Sequence, residues 1–155
     1  MQKILFLTGA LGFAGKHYYN LYKNNWDKII VYDKGTYAAD KNFFYKNKRK
    51  KDKIIIGDIC DFKKLYKSMP KNCYVIHYAA ESHVDNSFFS SLIFTKTNTL
   101  GTHTLLEVCR LKKNKKITIV STDEVYGETI NKRKKEKLLL EPTNPYSASK
   151  TSADI

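Results

Sequence analysis

The segment TGALGFAG, residues 8–15, decides the fold of this chain. It holds three of the seven glycines in the spacing GxxGxxG, between the apolar run Ile4–Leu7 and a stretch of helical periodicity. A glycine turn between a buried strand and a helix is typical of dinucleotide-binding domains, because the helix N-terminus holds the pyrophosphate. In that interpretation Gly9 permits the tight turn, Gly12 lets the backbone approach the pyrophosphate, and Gly15 lets the helix pack against the strand. The alternative is an ordinary glycine-containing turn.

An acidic residue at the end of the second apolar run favours the dinucleotide-binding turn over an ordinary one. Asp33 follows Ile29–Tyr32, roughly 20 residues after the glycines, where dinucleotide-binding domains carry a ribose-binding carboxylate. A carboxylate there accepts both ribose hydroxyls of NAD and repels the 2′-phosphate of NADP, although neighbouring Lys34 weakens this preference. Asp58, in Gly57-Asp58-Ile59, is a candidate for an adenine contact or, alternatively, for a helix cap.

Apolar runs alternate with helical periodicity along the whole chain. Five runs are predicted strands: Ile4–Leu7, Ile29–Tyr32, Ile54–Ile56, Cys73–Tyr78 and Ile117–Val120. Helices are predicted after the glycine turn, after Asp61, over about Ser90–Leu111 and from near Tyr146, with irregular chain over Tyr37–Lys53 and a loop over Asn131–Leu140. Short, continuous apolar strands between helices indicate a parallel sheet covered on both faces. We therefore predict an α/β fold, a Rossmann-type doubly wound parallel sheet, with no domain boundary inside residues 1–155.

Composition excludes several classes of protein. The chain has 155 residues, is 42% hydrophobic and 28% charged, and has a mean hydropathy of −0.49, which indicates a globular domain rather than disorder. Its apolar runs are far shorter than the roughly 20 residues of a membrane helix, so no membrane association is predicted. The cysteines, Cys60, Cys73 and Cys109, lack the spacing of a metal site. They predict no metal, a reducing compartment and a cytoplasmic location.

The net charge of +13 is concentrated in three short polar segments, Lys41–Lys53, Lys112–Lys116 and Lys132–Lys137. Such segments are typical of nucleic-acid or anion binding, or of solvated loops in a lysine-rich sequence. We favour solvated loops, because no pattern of aromatic or arginine residues for reading bases accompanies the lysines.

Tyr146 and Lys150 lie four residues apart in the segment PYSASK, which puts them on one face of a helix. A tyrosine phenol has a pKa of about 10, and a lysine ammonium and an oxidised nicotinamide nearby would both lower it toward that of a useful base. Lys150 could also hold the nicotinamide ribose. In a chain with 11 tyrosines this spacing also arises by chance, and the glycine turn is what gives it weight.

The fifth apolar run ends in STDEVYG, residues 121–127, and parallel sheets bind ligands at the carboxyl ends of their strands. Adjacent carboxylates in extended chain point to different sides, so Asp123 and Glu124 can act as a separate acid and base. Thr122 offers a hydroxyl to a substrate hydroxyl. The alternative is a helix N-cap, with Thr122 or Asp123 followed by a glutamate.

Seven segments between Thr8 and Lys150 resemble, in order, the extended short-chain dehydrogenases, and within them the nucleoside-diphosphate-glucose 4,6-dehydratases. They are TGALGFAG, YDKGTYA, GDI, HYAAESHVDNS, TNTLGTHTLLE, STDEVYG and NPYSASK. The Thr-Asp-Glu triplet distinguishes the dehydratases from related epimerases and decarboxylases, which usually lack Asp-Glu at this position. The resemblance implies NAD as cofactor, dTDP-glucose or UDP-glucose as substrate, and a 4-keto-6-deoxy sugar nucleotide and water as products.

The resemblance also implies roles for individual residues. Tyr146, assisted by Thr122 and Lys150, takes the proton of the sugar's 4-hydroxyl. Glu124 removes the C5 proton, and Asp123 protonates the departing 6-hydroxyl. Ser82 and Thr122 contact the sugar. The residues expected around NAD are Gly9, Gly12, Phe13, Ala14, Gly15, Asp33, Lys34, Thr36, Asp58, Ile59, Tyr78, Ala79, Ala80, Ser82, Thr97, Tyr146 and Lys150.

The sequence departs from this family in length. Family members are much longer, and this chain ends at Ile155, inside the Tyr–Lys helix. We therefore expect an incomplete NAD-binding domain, truncated after its fifth strand and the start of that helix, without the substrate domain and with a shortened homodimer interface. Three functions stay open: the catalytic half of a dehydratase, an NAD-binding remnant without turnover, and a basic protein that binds nucleic acid on the same fold.

Replacement of Asp33 separates these functions. We expect Asp33→Ala to abolish NAD binding, measured by titration calorimetry, if the glycine turn binds a dinucleotide, because the ribose then loses its acceptor. A basic nucleic-acid-binding protein would be unaffected by this change. It would instead bind polynucleotides with a steep dependence on salt concentration.

Overall fold

The computed structural model describes residues 2–114, 116–129 and 133–155. They form two compact units: one comprises Met1–Ala79 with Thr104–Val120, and the other comprises Ala80–His103 with Ser121–Ile155. The first unit contains the sheet, and the second is helical. Within the described ranges, no helix is long and apolar enough to cross a membrane.

The first unit is built on five parallel strands: β1 (Ile4–Thr8), β2 (Lys28–Asp33), β3 (Lys53–Ile56), β4 (Tyr74–His77) and β5 (Lys116–Ile119). Their order across the sheet is β3-β2-β1-β4-β5, and Thr8 is level with Tyr32 on one side and His77 on the other. This order is that of the doubly wound fold, so the predicted fold class is confirmed. All five strands end at the same edge of the sheet.

Three helices of the first unit follow strands: α1 (Phe13–Tyr22), which runs into a 3₁₀ turn at Lys23–Asn25, α2 (Lys41–Asn47) and α3 (Phe62–Ser68). The helix predicted after Asp61 is confirmed, and the Asp61 carboxylate caps it by accepting from the Lys64 N–H. The prediction of irregular chain over Tyr37–Lys53 is wrong at α2. Asp40 caps that helix, and the fully buried Phe44 anchors it against the sheet.

Apolar side chains of the sheet alternate between two cores because successive residues of a strand point to opposite faces. Phe6 of β1 lies in one core, and its neighbours Leu5 and Leu7 lie in the other. The first core also receives residues of helix α6 (Gly101–Leu111), which continues into this unit from the second. The second core is closed by Tyr19 of α1 and Phe44 of α2. Burial on both faces is what the continuous apolar strands predict.

A buried ion pair fixes the lysine-rich segment that precedes β3. Asp52 is 3% exposed, and its carboxylate accepts from the Arg49 guanidinium at 2.7 and 2.9 Å, from the Tyr19 hydroxyl at 2.7 Å and from the Ile29 N–H at 2.7 Å. Burial opposes ionisation, but the hydrogen bonds from Arg49 and Tyr19 outweigh it, so the pKa of Asp52 lies below its usual value. Part of this basic segment therefore serves the fold rather than a ligand.

The second unit contains α4 (Val84–Phe89), α5 (Ser91–Phe94), a π-helical segment at Thr95–Leu100, a 3₁₀ turn at Asp123–Tyr126 and α7 (Pro145–Asp154). The long helix predicted over about Ser90–Leu111 is present as α5, the π-helical segment and α6 in succession. Pro145 occupies the first turn of α7, as predicted. Of the predicted loop Asn131–Leu140, residues 131 and 132 lie outside the described part, and residues 133–140 form neither helix nor strand.

We expect Asp52→Ala to lower the free energy of unfolding by about 3–5 kcal/mol, because it leaves the partly buried Arg49 guanidinium and the buried Ile29 N–H without their acceptor. Urea unfolding measures the change. Since the pKa of Asp52 is lower in the folded chain than in the unfolded one, its contribution is present above about pH 4 and is lost as the pH falls below that value.

Asp27→Ala is the matched control, because the exposed Asp27 carboxylate accepts only from the backbone N–H of Lys3 among the hydrogen bonds described. A loss of about 1 kcal/mol or less is expected there. Equal losses at both positions would contradict the role assigned to the buried pair.

Candidate functional site

The glycine turn after β1 is compact. Gly9 has a φ of 69°, and a Cβ added to it would lie 2.4 Å from the Ala79 nitrogen. A Cβ added to Gly15 would lie 2.3 Å from the Gly9 carbonyl oxygen. Neither position has room for a side chain, because the backbone that follows β4 packs against Gly9 and the backbone of the turn itself packs against Gly15.

Gly12 is different, because nothing in the turn requires it to be glycine. Its φ is −75°, and the nearest atom to an added Cβ is the Gly9 oxygen at 3.4 Å, an ordinary contact. No side chain caps α1 at Gly12, and the first turn of the helix holds no acid. The space in front of this helix N-terminus is thus open and suited to an anion. Predicted ligand residues Phe13 and Ala14 lie exposed in the first turn.

Asp33 ties the end of β2 to the glycine turn. One carboxylate oxygen accepts from the Leu11 N–H at 2.9 Å, and the other accepts from the Gly35 N–H at 2.7 Å. Asp33 is 8% exposed, and each oxygen retains a second lone pair for a ribose hydroxyl. Thr36, predicted to lie near the same ribose, is exposed.

Lys34 and Asp58, predicted to contact adenosine, pair with each other at 2.9 Å. Burial opposes ionisation of Asp58, but the Cys60 N–H and the Lys34 ammonium outweigh it, so the pKa of Asp58 lies below its usual value. This pair explains why Lys34 beside Asp33 need not attract a 2′-phosphate. The Ile59 side chain packs in the core, so only its backbone is placed to contact an adenine.

Tyr78 and Ala79 follow β4 at the edge where Gly9 lies. Tyr78 is half-buried with its ring 5.8 Å from that of Tyr18, and burial raises the pKa of its phenol. The Ala79 N–H donates to the Thr8 hydroxyl at 3.5 Å. These residues continue the same edge of the first unit as the glycine turn.

In the second unit, Asn98 holds the chain that contains Ala80 and Ser82. The Asn98 side chain is 1% exposed and makes two hydrogen bonds with the backbone of Glu81, at 2.8 and 2.9 Å. It also donates to the Ser149 hydroxyl at 2.9 Å, which connects this chain to α7. Asn98 lies in the π-helical segment, beside the half-buried Thr97. The role of Asn98 in holding the Glu81 backbone was not predicted from the sequence.

The Thr-Asp-Glu triplet and Tyr146 lie together in the second unit. The Thr122 hydroxyl caps the 3₁₀ turn by accepting from the Glu124 N–H at 3.3 Å. The N-cap that the sequence analysis gave as the alternative is therefore present. The same hydroxyl donates to the Asp123 carboxylate at 3.4 Å and lies close enough to the Tyr146 phenol to oppose the rise in the pKa of that phenol. The carboxylates of Asp123 and Glu124 are both close enough to affect that phenol.

The pKa of Tyr146 is raised rather than lowered by this chain. Burial raises it, the Thr122 hydroxyl opposes the rise, and the carboxylates of Glu124 and Asp123 add to it. Lys150 is 5% exposed, and burial lowers the pKa of its ammonium while Asp154 opposes that change.

Asn144 is a further residue that the sequence analysis missed. Its side-chain oxygen caps α7 by accepting from the Ser147 N–H at 2.8 Å, and its amide nitrogen donates to Glu124 at 3.0 Å. The signal in the sequence is an asparagine directly before Pro145, which is a typical N-cap pattern.

Asp123, Glu124 and Asn144 line a cleft of about 1090 Å³ in the second unit. The lining also includes Arg133, Lys134 and Lys135, so basic side chains reach the same cleft. The volume is that of a site for a drug-sized ligand.

Comparisons with known proteins agree with this geometry. The profile of the family described as GDP-mannose 4,6 dehydratase matches residues 6–155. A dTDP-D-glucose 4,6-dehydratase of Dictyostelium discoideum is 45% identical over 170 residues, which cover 99% of this chain and 39% of that protein. The dTDP-D-glucose 4,6-dehydratase of Homo sapiens is 38% identical over 157 residues, which cover 98% of this chain and 45% of that protein. The chain thus spans less than half the length of these relatives.

Solved structures give the same result. DesIV, a dTDP-glucose 4,6-dehydratase from Streptomyces venezuelae with NAD and TYD bound, superposes with a TM-score of 0.91 at 35% identity, covering 97% of this chain and 49% of that one. A UDP-glucose 4-epimerase from Brucella ovis in complex with NAD has a TM-score of 0.84 at 26% identity, and the match covers 98% of this chain and 46% of the epimerase.

Serine at each glycine of the turn tests its geometry. We expect Gly15→Ser to lower the free energy of unfolding by about 1–3 kcal/mol through overpacking, and Gly9→Ser to lower it at least as much because φ is positive as well. Gly12→Ser should leave stability unchanged or raise it, since serine caps helices well. Urea unfolding of the three variants measures the difference, and a large loss at Gly12 would show that the turn itself needs this glycine.

Proposed function

The chain belongs to the GDP-mannose 4,6 dehydratase family, and on this basis we propose that it carries the catalytic portion of an NAD-dependent 4,6-dehydratase of a nucleoside-diphosphate-glucose. The observation that carries the proposal is the cluster in the second unit, where Thr122 hydrogen-bonds Asp123 and Glu124, and all three lie close to the phenol of Tyr146. A phenol, a hydroxyl and two separate carboxylates are the groups that an oxidation followed by elimination of water requires. The proposal covers dTDP-glucose and UDP-glucose alike.

The residues of the first unit fit NAD as the cofactor. The open space at Gly12 suits a pyrophosphate, and the Asp33 carboxylate retains acceptor capacity for two ribose hydroxyls. When bound, NAD⁺ supplies the hydride acceptor for oxidation at C4, the hydride donor for reduction at C6, and positive charge beside the phenol.

The chain's own residues then move protons. Tyr146 accepts the proton of the sugar's 4-hydroxyl, and the Thr122 hydroxyl holds the phenol oxygen and the 4-hydroxyl oxygen in place. The buried Lys150 orients the nicotinamide ribose. Because the pKa of Tyr146 is raised in the chain alone, proton transfer depends on a nearby positive charge to lower it.

Elimination uses the two carboxylates. The 4-ketone makes the C5 proton acidic, and Glu124, held by the Asn144 amide, removes it. Asp123 protonates the 6-hydroxyl as the C6–O bond breaks, so that a C5–C6 double bond forms and water leaves. Glu124 would then return its proton to C5, which, with the hydride for C6 from bound NAD, would give the 4-keto-6-deoxy sugar nucleotide.

We also propose a homodimer and a cytoplasmic location. Apolar side chains on α4 and α5 are largely exposed, with Phe88 at 63%, Phe89 at 88% and Leu92 at 83%, and a second copy is the partner that the proposed function favours. The three cysteines form no disulfide, which suits a reducing compartment.

Turnover tests the proposed function. We expect the chain, incubated with NAD⁺ and either dTDP-glucose or UDP-glucose, to form a sugar nucleotide lighter by one water, detected by mass spectrometry. Glu124→Gln should bind NAD normally and lower turnover by about 100-fold or more, because it lacks the base.

Gly12→Ser tests whether turnover depends on NAD bound at the glycine turn, since this variant should fold and lose both NAD binding and turnover. NAD binding without product in the unchanged chain would contradict the proposed dehydratase activity and favour an NAD-binding remnant.

A further inference from the structure

One asparagine side chain contacts both halves of the catalytic cluster. The Asn144 Oδ1 accepts from the Ser147 N–H at 2.8 Å, and the Ser147 hydroxyl lies 3.1 Å from the Asn144 N–H, which completes a capping box. The Asn144 Nδ2 donates to Glu124 Oε2 at 3.0 Å. The first pair of contacts fixes the start of α7, and the last fixes the carboxylate.

These contacts use the two ends of the amide differently. Asparagine and serine cap helices about equally well, so the cap alone does not require an amide. An amide carries its acceptor and its donor on two separate atoms, so it can cap α7 with one atom and hold Glu124 with the other. Tyr146 follows Asn144 by two residues on α7, so the same side chain sets the position of the phenol's helix and of the carboxylate.

We propose that Asn144 is a positioning residue that couples Glu124 to the helix carrying Tyr146. This rests on the proposed dehydratase function, in which Glu124 is the base at C5. The Asn144 amide occupies Oε2, and within the described ranges no hydrogen bond is made to Oε1, which is the oxygen left to receive the proton. Asn144 itself takes up no proton and acts only through Glu124.

Two substitutions separate capping from positioning. Asn144→Ser keeps an N-cap but has one polar atom in place of two, so no donor remains at the position of the Asn144 Nδ2, whereas Asn144→Ala removes both groups. Side-chain NMR order parameters report whether Glu124 stays in one rotamer, and amide hydrogen exchange reports whether the first turn of α7 stays closed. Asp61→Ser, which replaces the N-cap of α3, is the matched control at a helix outside the second unit.

We expect the order parameter of Glu124 to fall to a similar extent in both Asn144 variants, with faster exchange in α7 only for Asn144→Ala. With turnover measured, Asn144→Ser should lower kcat by about 10- to 100-fold, the loss expected for one hydrogen bond to a charged group, and leave KM close to its original value. Asp61→Ser should change neither quantity.

The inference is overturned if Glu124 keeps its order in Asn144→Ser, or loses it only together with the cap in Asn144→Ala. These NMR measurements need no catalysis. If the unchanged chain shows no turnover while Glu124 still loses order in Asn144→Ser, the proposed function fails and the coupling of Asn144 to Glu124 stands.

Discussion

The backbone of Gly9 approaches that of Ala79 so closely that no side chain fits between them, and the ligand-facing edge of the first unit depends on this approach. With the turn after β1 in that position, the Leu11 N–H reaches the Asp33 carboxylate at the end of β2. The residue proposed to recognise a ribose therefore also braces the glycine turn. It is held in place by the fold before a ligand binds, which lowers the entropy lost on binding.

The second unit is held by polar contacts more than by apolar ones. Phe94 and Val125 are its buried apolar side chains among the residues described, whereas Asn98, Ser147, Ser149 and Lys150 are buried there as well. Buried polar groups stabilise only when they are paired, and pairing requires defined geometry. A polar interior of this kind is suited to holding catalytic groups in fixed positions. It also makes the unit sensitive to the loss of single hydrogen bonds.

The sheet could be predicted from the sequence because its strands are continuous apolar runs, and β1, β2 and β5 begin or end within a residue of the predicted bounds. Helix α4 could not, because Phe88 and Phe89 are exposed and give no amphipathic pattern. Residues of the site were predicted through motifs and a family resemblance. Asn98 was missed because its hydrogen bonds join residues far apart in the chain and leave no local pattern. Asn144 has a local signal only for its capping role, and its bond to Glu124, 20 residues away, has none.

The π-helical segment at Thr95–Leu100 has a consequence for how this helix can vary in length. An α-helix turns by about 100° per residue, so removing one residue between Phe94 and Asn98 would rotate α5 relative to Asn98 by about that angle. The buried Phe94, whose ring lies 6.3 Å from that of Tyr146, and Asn98, which bonds Ser149, could not then both keep their partners in the second unit. Insertions and deletions in this helix should therefore be selected against even where each single substitution is tolerated.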